Sequence, residues 1–171
     1  MSHIIDVFEV ARTQTTVSGS IALGEMPELA MSVADLEGEG LSYEITGMGT
    51  IERLPAASLK ISGRAVMACA RCLQPVVVPV DREVVFCFVK SEEEADSLPL
   101  DEEDEEIEVI VGSRRLSIAA WVQEETILSL PAMPMHDDCS LAWEDDEEEA
   151  PQPEEEKPNP FAVLAGLKTK N

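Results

Sequence analysis

Ala57-Ser58-Leu59-Lys60-Ile61-Ser62-Gly63-Arg64-Ala65-Val66-Met67-Ala68-Cys69-Ala70-Arg71-Cys72 decides the fold. Ala57, Leu59, Ile61, Gly63, Ala65, Met67 and Cys69 share one parity, and Ser58, Lys60, Ser62 and Arg64 share the other. That is the period-2 pattern of a strand with one covered and one wet face. The strand delivers Cys69 to its end, and Cys-Ala-Arg-Cys-Leu-Gln-Pro supplies a turn. Residues 76–89 then return as a second strand, apolar on both parities near its end, as a strand covered on both sides reads. Cys69 and Cys72 are therefore expected at a hairpin tip.

Before this hairpin, residues 41–53 alternate with Leu41, Tyr43, Ile45, Gly47, Gly49 and Ile51 on one parity, and Pro55 is expected to end that strand. Its glycines predict a bulge or a close backbone approach. Short strands are expected at residues 4–10 and 15–23, with a helical turn at 27–34. Beyond the hairpin, residues 107–111 form a short apolar run. Ser117 can cap a helix over residues 117–130, with Ile118, Trp121, Val122, Glu125, Leu128 and Ser129 near one face, Ile127 and Leu130 widening it, and Pro131 and Pro134 closing it. The fold class expected is α+β: an antiparallel sheet or partly open barrel, one main helix at about 117–130, and a short C-terminal helix.

Charge divides the chain. Residues 1–90 carry a net −4 and residues 91–171 a net −19, out of −23 in all. Residues 91–108 hold 11 carboxylates and no base, which reads as a solvated loop, and they lack the Asp-x-Asp-x-Asp-Gly order of a calcium site. The organisation expected is a β-rich domain at 1–136 including an acidic loop at 91–106, an acidic disordered linker at 137–158, and a docking segment at 159–171. In that last piece Asn159 caps and Pro160 opens a short helix offering Phe161, Val163, Leu164 and Leu167. The N-terminus has no basic and apolar leader, and no run reaches the 18 or so apolar residues of a spanning helix, so a cytoplasmic protein is expected, without membrane or DNA as partner.

Four cysteines in a reducing compartment point to thiols or metal ligands rather than to disulfides. Cys87, inside Val-Val-Phe-Cys-Phe-Val, reads as a buried small hydrophobe. Cys69 and Cys72, with His136 and Cys139 at the same spacing, form a permissible Cys3His structural-zinc set, against the alternative of reduced thiols and a surface histidine. A thioredoxin-type role fits less well, because that motif opens a helix whereas a strand follows here. With no Gly-rich phosphate loop, no nucleophile elbow and only His3 and His136 as imidazole bases, an enzyme is not expected. Arg53, Lys60, Arg64, Arg71 and Arg82 form the one basic island of the chain. They can contact phosphates of RNA or a partner, or be surface cations paired with the acidic segments.

Taken in order, Cys69-Ala70-Arg71-Cys72, Phe86-Cys87-Phe88, Glu125-Thr126-Ile127-Leu128-Ser129-Leu130-Pro131, His136-Asp137 with Cys139, and the terminal Lys157-Pro158-Asn159-Pro160-Phe161-Ala162-Val163-Leu164-Ala165-Gly166-Leu167-Lys168 resemble the YceD family. That family is associated with accumulation of large-subunit ribosomal RNA. Some members carry a second Cys-x-x-Cys where this chain has His136 and Cys139. The resemblance implies a non-enzymatic ribosome-biogenesis role supporting 23S ribosomal RNA, with RNA, a pre-ribosomal particle or a basic ribosomal protein as partner. The competing expectation is a zinc-dependent adaptor or holdase for a basic client.

Overall fold

A computed structural model describes residues 4–98 and 107–139 of the chain. In chain order the elements are β1 (Ile4–Ile5), α1 (Val7–Thr13), β2 (Thr16–Ile21), α2 (Leu29–Ser32), β3 (Asp35–Leu36), β4 (Leu41–Ile51), β5 (Leu54–Ala68), β6 (Pro75–Val89), α3 (Glu92–Asp96), β7 (Ile107–Val111), β8 (Leu116–Ser117) and α4 (Ile118–Ser129). The fold is α+β.

The quoted alternation becomes β5, the strand with the most neighbours. β4, β5 and β6 form an antiparallel meander, β2 extends it beyond β4, and β3 pairs with β5 where β4 has ended. Ala57, Leu59, Ile61, Ala65 and Cys69 are buried along one face of β5, and Lys60, Ser62 and Arg64 lie on the other. The covered face receives α1, α2 and α4. Phe86 and Phe88 of β6 meet Trp121 of α4 edge-on, with ring centroids 4.9 and 6.1 Å apart, in the geometry aromatic quadrupoles favour.

The glycines of β4 do what the alternation predicts. The register against β5 shifts between Gly47 and Gly49, and a Cβ on Gly47 would run into the backbone carbonyl of Val10 in α1. Ser117 caps α4 through a bond from the Ala120 N–H to its Oγ.

Several expectations need correcting. The sheet is open rather than barrel-like, since β2 and β7 stand at its two ends. It is also mixed, because β7 runs parallel to β6. Among the described residues there are four α-helices, of which α4 is the longest, rather than one main helix. Residues 7–10 are helical, because the Asp6 carboxylate accepts the Phe8 and Glu9 N–H groups and caps α1. Pro55 lies inside β5, and the chain reverses at Glu52 and Arg53, both at positive φ, as a two-residue hairpin requires. The acidic stretch opens with α3, where Ser91 caps and Glu92, Glu93 and Glu94 occupy the first turn, favoured by the helix dipole. On α4, Leu128 is exposed, while Gln123 and Thr126 are buried beside Glu125. Of the linker expected at 137–158, residues 140 onward lie outside the described residues, as does the helix expected at 159–168.

Candidate metal centre and partner surface

The hairpin tip is built by its own backbone. The Cys69 N–H donates to Gln74 O at 2.8 Å and the Leu73 N–H to Cys69 O at 3.0 Å, and Leu73 takes positive φ to close the loop between β5 and β6. The segment after α4, kept from helix by Pro131 and Pro134, is held against this tip by a bond from Ala70 N–H to Pro134 O at 2.8 Å. Arg71 adds a second tie by donating from Nη1 to the carbonyl of Cys139 at 2.9 Å. Four side chains are thereby brought together from two distant stretches.

The ligand atoms of Cys69, Cys72, His136 and Cys139 all lie within 4.8 Å of one another. Cys69 Sγ stands 3.7 Å from Cys139 Sγ, and Cys72 Sγ stands 3.4 Å from His136 Nδ1. Tetrahedral zinc, with Zn–S about 2.3 Å and Zn–N about 2.0–2.1 Å, requires ligand separations of about 3.5–3.8 Å. The sulfur pair stands at that spacing and the Cys72–His136 pair falls just short of it. His136 Nε2 is 2.9 Å from Pro75 O, and a carbonyl can only accept, so Nε2 carries the proton and Nδ1 presents its lone pair to the cluster. A carbonyl behind a ligating imidazole is the usual outer support of a metal site.

The electrostatics agree with a cation site. The Cys72 backbone N–H holds the Cys69 thiol down at about 5, against the opposing effect of burial and with help from the N–H groups of His136 and Arg71. Cys139 moves the other way, raised by burial and by the neighbouring sulfurs of Cys69 and Cys72. One thiolate is welcome there and further ones repel it, a frustration that a divalent cation relieves by deprotonating the rest. The residues therefore fit a metal. Cys87 lies elsewhere, buried in β6, with its thiol raised by burial and by Glu52.

The five cations of the basic island do not share one surface. Lys60 and Arg64 lie on the outer face of β5, but Lys60 is paired with Glu83 at 3.3 Å and Arg64 with Glu37 at 3.2 Å. Across the strands, Lys60 sits in register between Glu44 and Glu83. Arg82 has the opposite parity and reaches Glu125 at 3.1 Å and Glu108 at 2.9 Å. Arg53 is in the turn at the far end of β5, and Arg71 is at the tip. Asn159, Pro160, Phe161, Val163, Leu164 and Leu167 lie outside the described residues. Sequence reasoning missed the apolar wall of Met133 and Met135 beside the tip, for which the only signal was a Pro-Ala-Met-Pro-Met run too short to show a period.

Fold and site together define a class: small α+β proteins in which a hairpin-borne Cys-x-x-Cys closes on a distant pair of ligands after the last helix. Residues 57–168 match the family described as large ribosomal RNA subunit accumulation protein YceD, a span that contains all four residues of the cluster. A curated relative of that name from Haemophilus influenzae is 30% identical over 173 residues, covering 97% of this chain and 95% of its own length. The chain belongs to the YceD family. No solved structure matches it significantly. Among the described residues, no helix is long and apolar enough to cross a membrane.

Proposed function

We propose that this protein is a non-enzymatic, cytoplasmic ribosome-biogenesis factor that supports synthesis, processing or stability of 23S ribosomal RNA by binding RNA or a ribosomal protein. The family match over residues 57–168 carries this reading. Zinc at Cys69, Cys72, His136 and Cys139 has a structural role in it, since four protein ligands leave no open position for a reacting water. The metal ties the hairpin tip to the chain after α4, and Arg71 braces the same junction. Arg53, Lys60, Arg64, Arg71 and Arg82 remain the candidate contacts to RNA or partner, and residues 159–168 the candidate docking segment. A net charge of −23 and the carboxylate partners of Lys60, Arg64 and Arg82 favour a basic protein over a polyanion. The apolar surface beside the tip favours the second reading, a zinc-dependent adaptor for a basic client, on the exposed Leu73, Met133 and Met135.

The test is depletion in cells followed by sizing of ribosomal RNA. The 23S to 16S ratio should fall and free large-subunit precursors should accumulate, with recovery on re-expression. An unchanged ratio would overturn the reading.

A further inference from the structure

Along its first half, β6 is paired with a strand on one side only among the described residues. β5 pairs with it from end to end, whereas β7 joins its other side only from Val85 to Val89. Backbone polarity shows which groups face the open side. On β5, the carbonyls of Val66 and Arg64 accept the N–H groups of Ala34 and Glu37, so these two residues turn their backbone groups toward β3 and away from β6. Their register partners on β6, Val77 and Pro79, therefore turn away from β5. Pro75 and Pro79 share the parity of Val77, as befits residues with no N–H to give a ladder, and the Pro75 carbonyl is reached from outside by His136. Val77 thus offers an N–H and a C=O to the open edge. Among the described residues neither has a partner.

Facing this edge is the segment that carries His136. Between them runs a groove of about 530 Å³, lined by Val76, Val77, Met133 and Met135, with Arg71 and Asp137 at its margin. The outer wall is held by the Ala70 to Pro134 bond and by the bond from His136 to the Pro75 carbonyl, and a metal held by His136 would brace it further. Methionines adapt to varied side chains, and Met133, Met135 and Val77 are all exposed.

Charge selects the occupant. Asp137 is among the lining residues, and Asp81 follows Val77 at the same parity of the strand, while Glu83 beyond it is paired with Lys60. The nearby cation, Arg71, already donates to the Cys139 carbonyl, and the chain carries −23 overall. A polyanion or an acidic peptide is repelled here. We propose that the groove receives an extended apolar segment of a basic protein, added as a strand to the edge of β6 through Val77, with flanking Lys or Arg near Asp81 and Asp137. This rests on the partner reading above and narrows it from RNA or a ribosomal protein to a basic protein segment.

The experiment uses the full chain and a fluorescein-labelled peptide of alternating Val and Thr flanked by Lys-Arg pairs, with an acid-flanked version and a single-stranded oligoribonucleotide in parallel. Anisotropy should report binding of the basic peptide alone. Val77→Pro removes the outward N–H and exchanges the valine side chain for a ring, at a parity that already tolerates Pro75 and Pro79, and should weaken binding about tenfold or more, as expected for loss of a strand-edge bond and its neighbours. Val77→Thr, which keeps the N–H, should bind within about threefold of the parent, less than 1 kcal/mol. Should Val77→Pro fail to fold, hydrogen exchange on the parent chain decides, since the Val77 amide must become protected when peptide is added. Absence of peptide binding, binding indifferent to Val77→Pro in a folded variant, an unprotected Val77 amide, or tighter binding of the oligoribonucleotide would each overturn the proposal. A negative depletion experiment would remove the ribosomal role while leaving these peptide results intact.

Discussion

Glu125 is the buried carboxylate among the described residues, its side chain 6% exposed on α4 and accepting from Nε and Nη2 of Arg82 at 3.2 and 3.1 Å. Burial raises its pKa above the ordinary 4.5, and the hydrogen bond from Arg82 opposes that rise without cancelling it. An acid raised in the folded state binds its proton more tightly there than in the unfolded chain. Its contribution is present below its unfolded pKa and is lost as pH rises through the folded value. Glu125→Gln imitates the protonated form, so the parent should lose stability relative to that variant between about pH 4 and pH 7. Urea midpoints at the two ends measure this, and the opposite trend would mean that Arg82 outweighs burial. At this scale the clustering of Cys69, Cys72, His136 and Cys139 was legible in the sequence because two pairs share one spacing. The burial of Glu125 was half legible: helical periodicity placed it on the apolar face, but placed Leu128 there too, and Leu128 is exposed. Which rim of α4 is covered depends on Arg82 and the β6 side chains, and those come from another part of the chain.

The strands were legible wherever side-chain parity is strict. Residues 57–69 and 76–89 became β5 and β6 with their boundaries nearly unchanged, and Cys69 to Gln74 closes the tip. The hairpin between β4 and β5 was misplaced, since a two-residue turn at positive φ normally announces itself with Asn-Gly or Asp-Gly and here it is Glu52-Arg53. The parallel pairing of β7 was also hidden, because alternation carries no sign of strand direction. Glycine gives a sharp test of this packing. At Gly47 an added Cβ meets the Val10 backbone carbonyl, and at Gly63 it meets only Cδ2 of Leu41, the end of a side chain that can turn. Gly47→Ala should therefore cost about 3 kcal/mol, at the upper end of overpacking effects, and Gly63→Ala about 1 kcal/mol. Chemical denaturation of the two variants ranks them. Equal costs would show that α1 can retreat from β4.

Over the whole molecule, the candidate metal centre is a long-range tie, bringing together residues 70 positions apart in sequence. Hydrogen bonds through Ala70, Arg71 and His136 also hold the segment from Pro131 to Cys139 to the hairpin. Charge at this scale was fully legible, and it argues for a basic partner. Whether the basic island forms a surface was not legible, because pairing of Lys60 with Glu83 and of Arg82 with Glu125 depends on strand register and helix docking. The span matched to the family contains Cys69, Cys72, His136 and Cys139, the four side chains that could hold a metal. The most direct test is elemental analysis of the anaerobically purified full chain beside its Cys69→Ser, Cys139→Ser and Cys87→Ser variants. One zinc per chain is expected for the parent and for Cys87→Ser, with zinc lost and the melting temperature lowered in both Cys69→Ser and Cys139→Ser. Zinc-free parent protein, or zinc and stability lost in only one of those two variants, would contradict a shared centre.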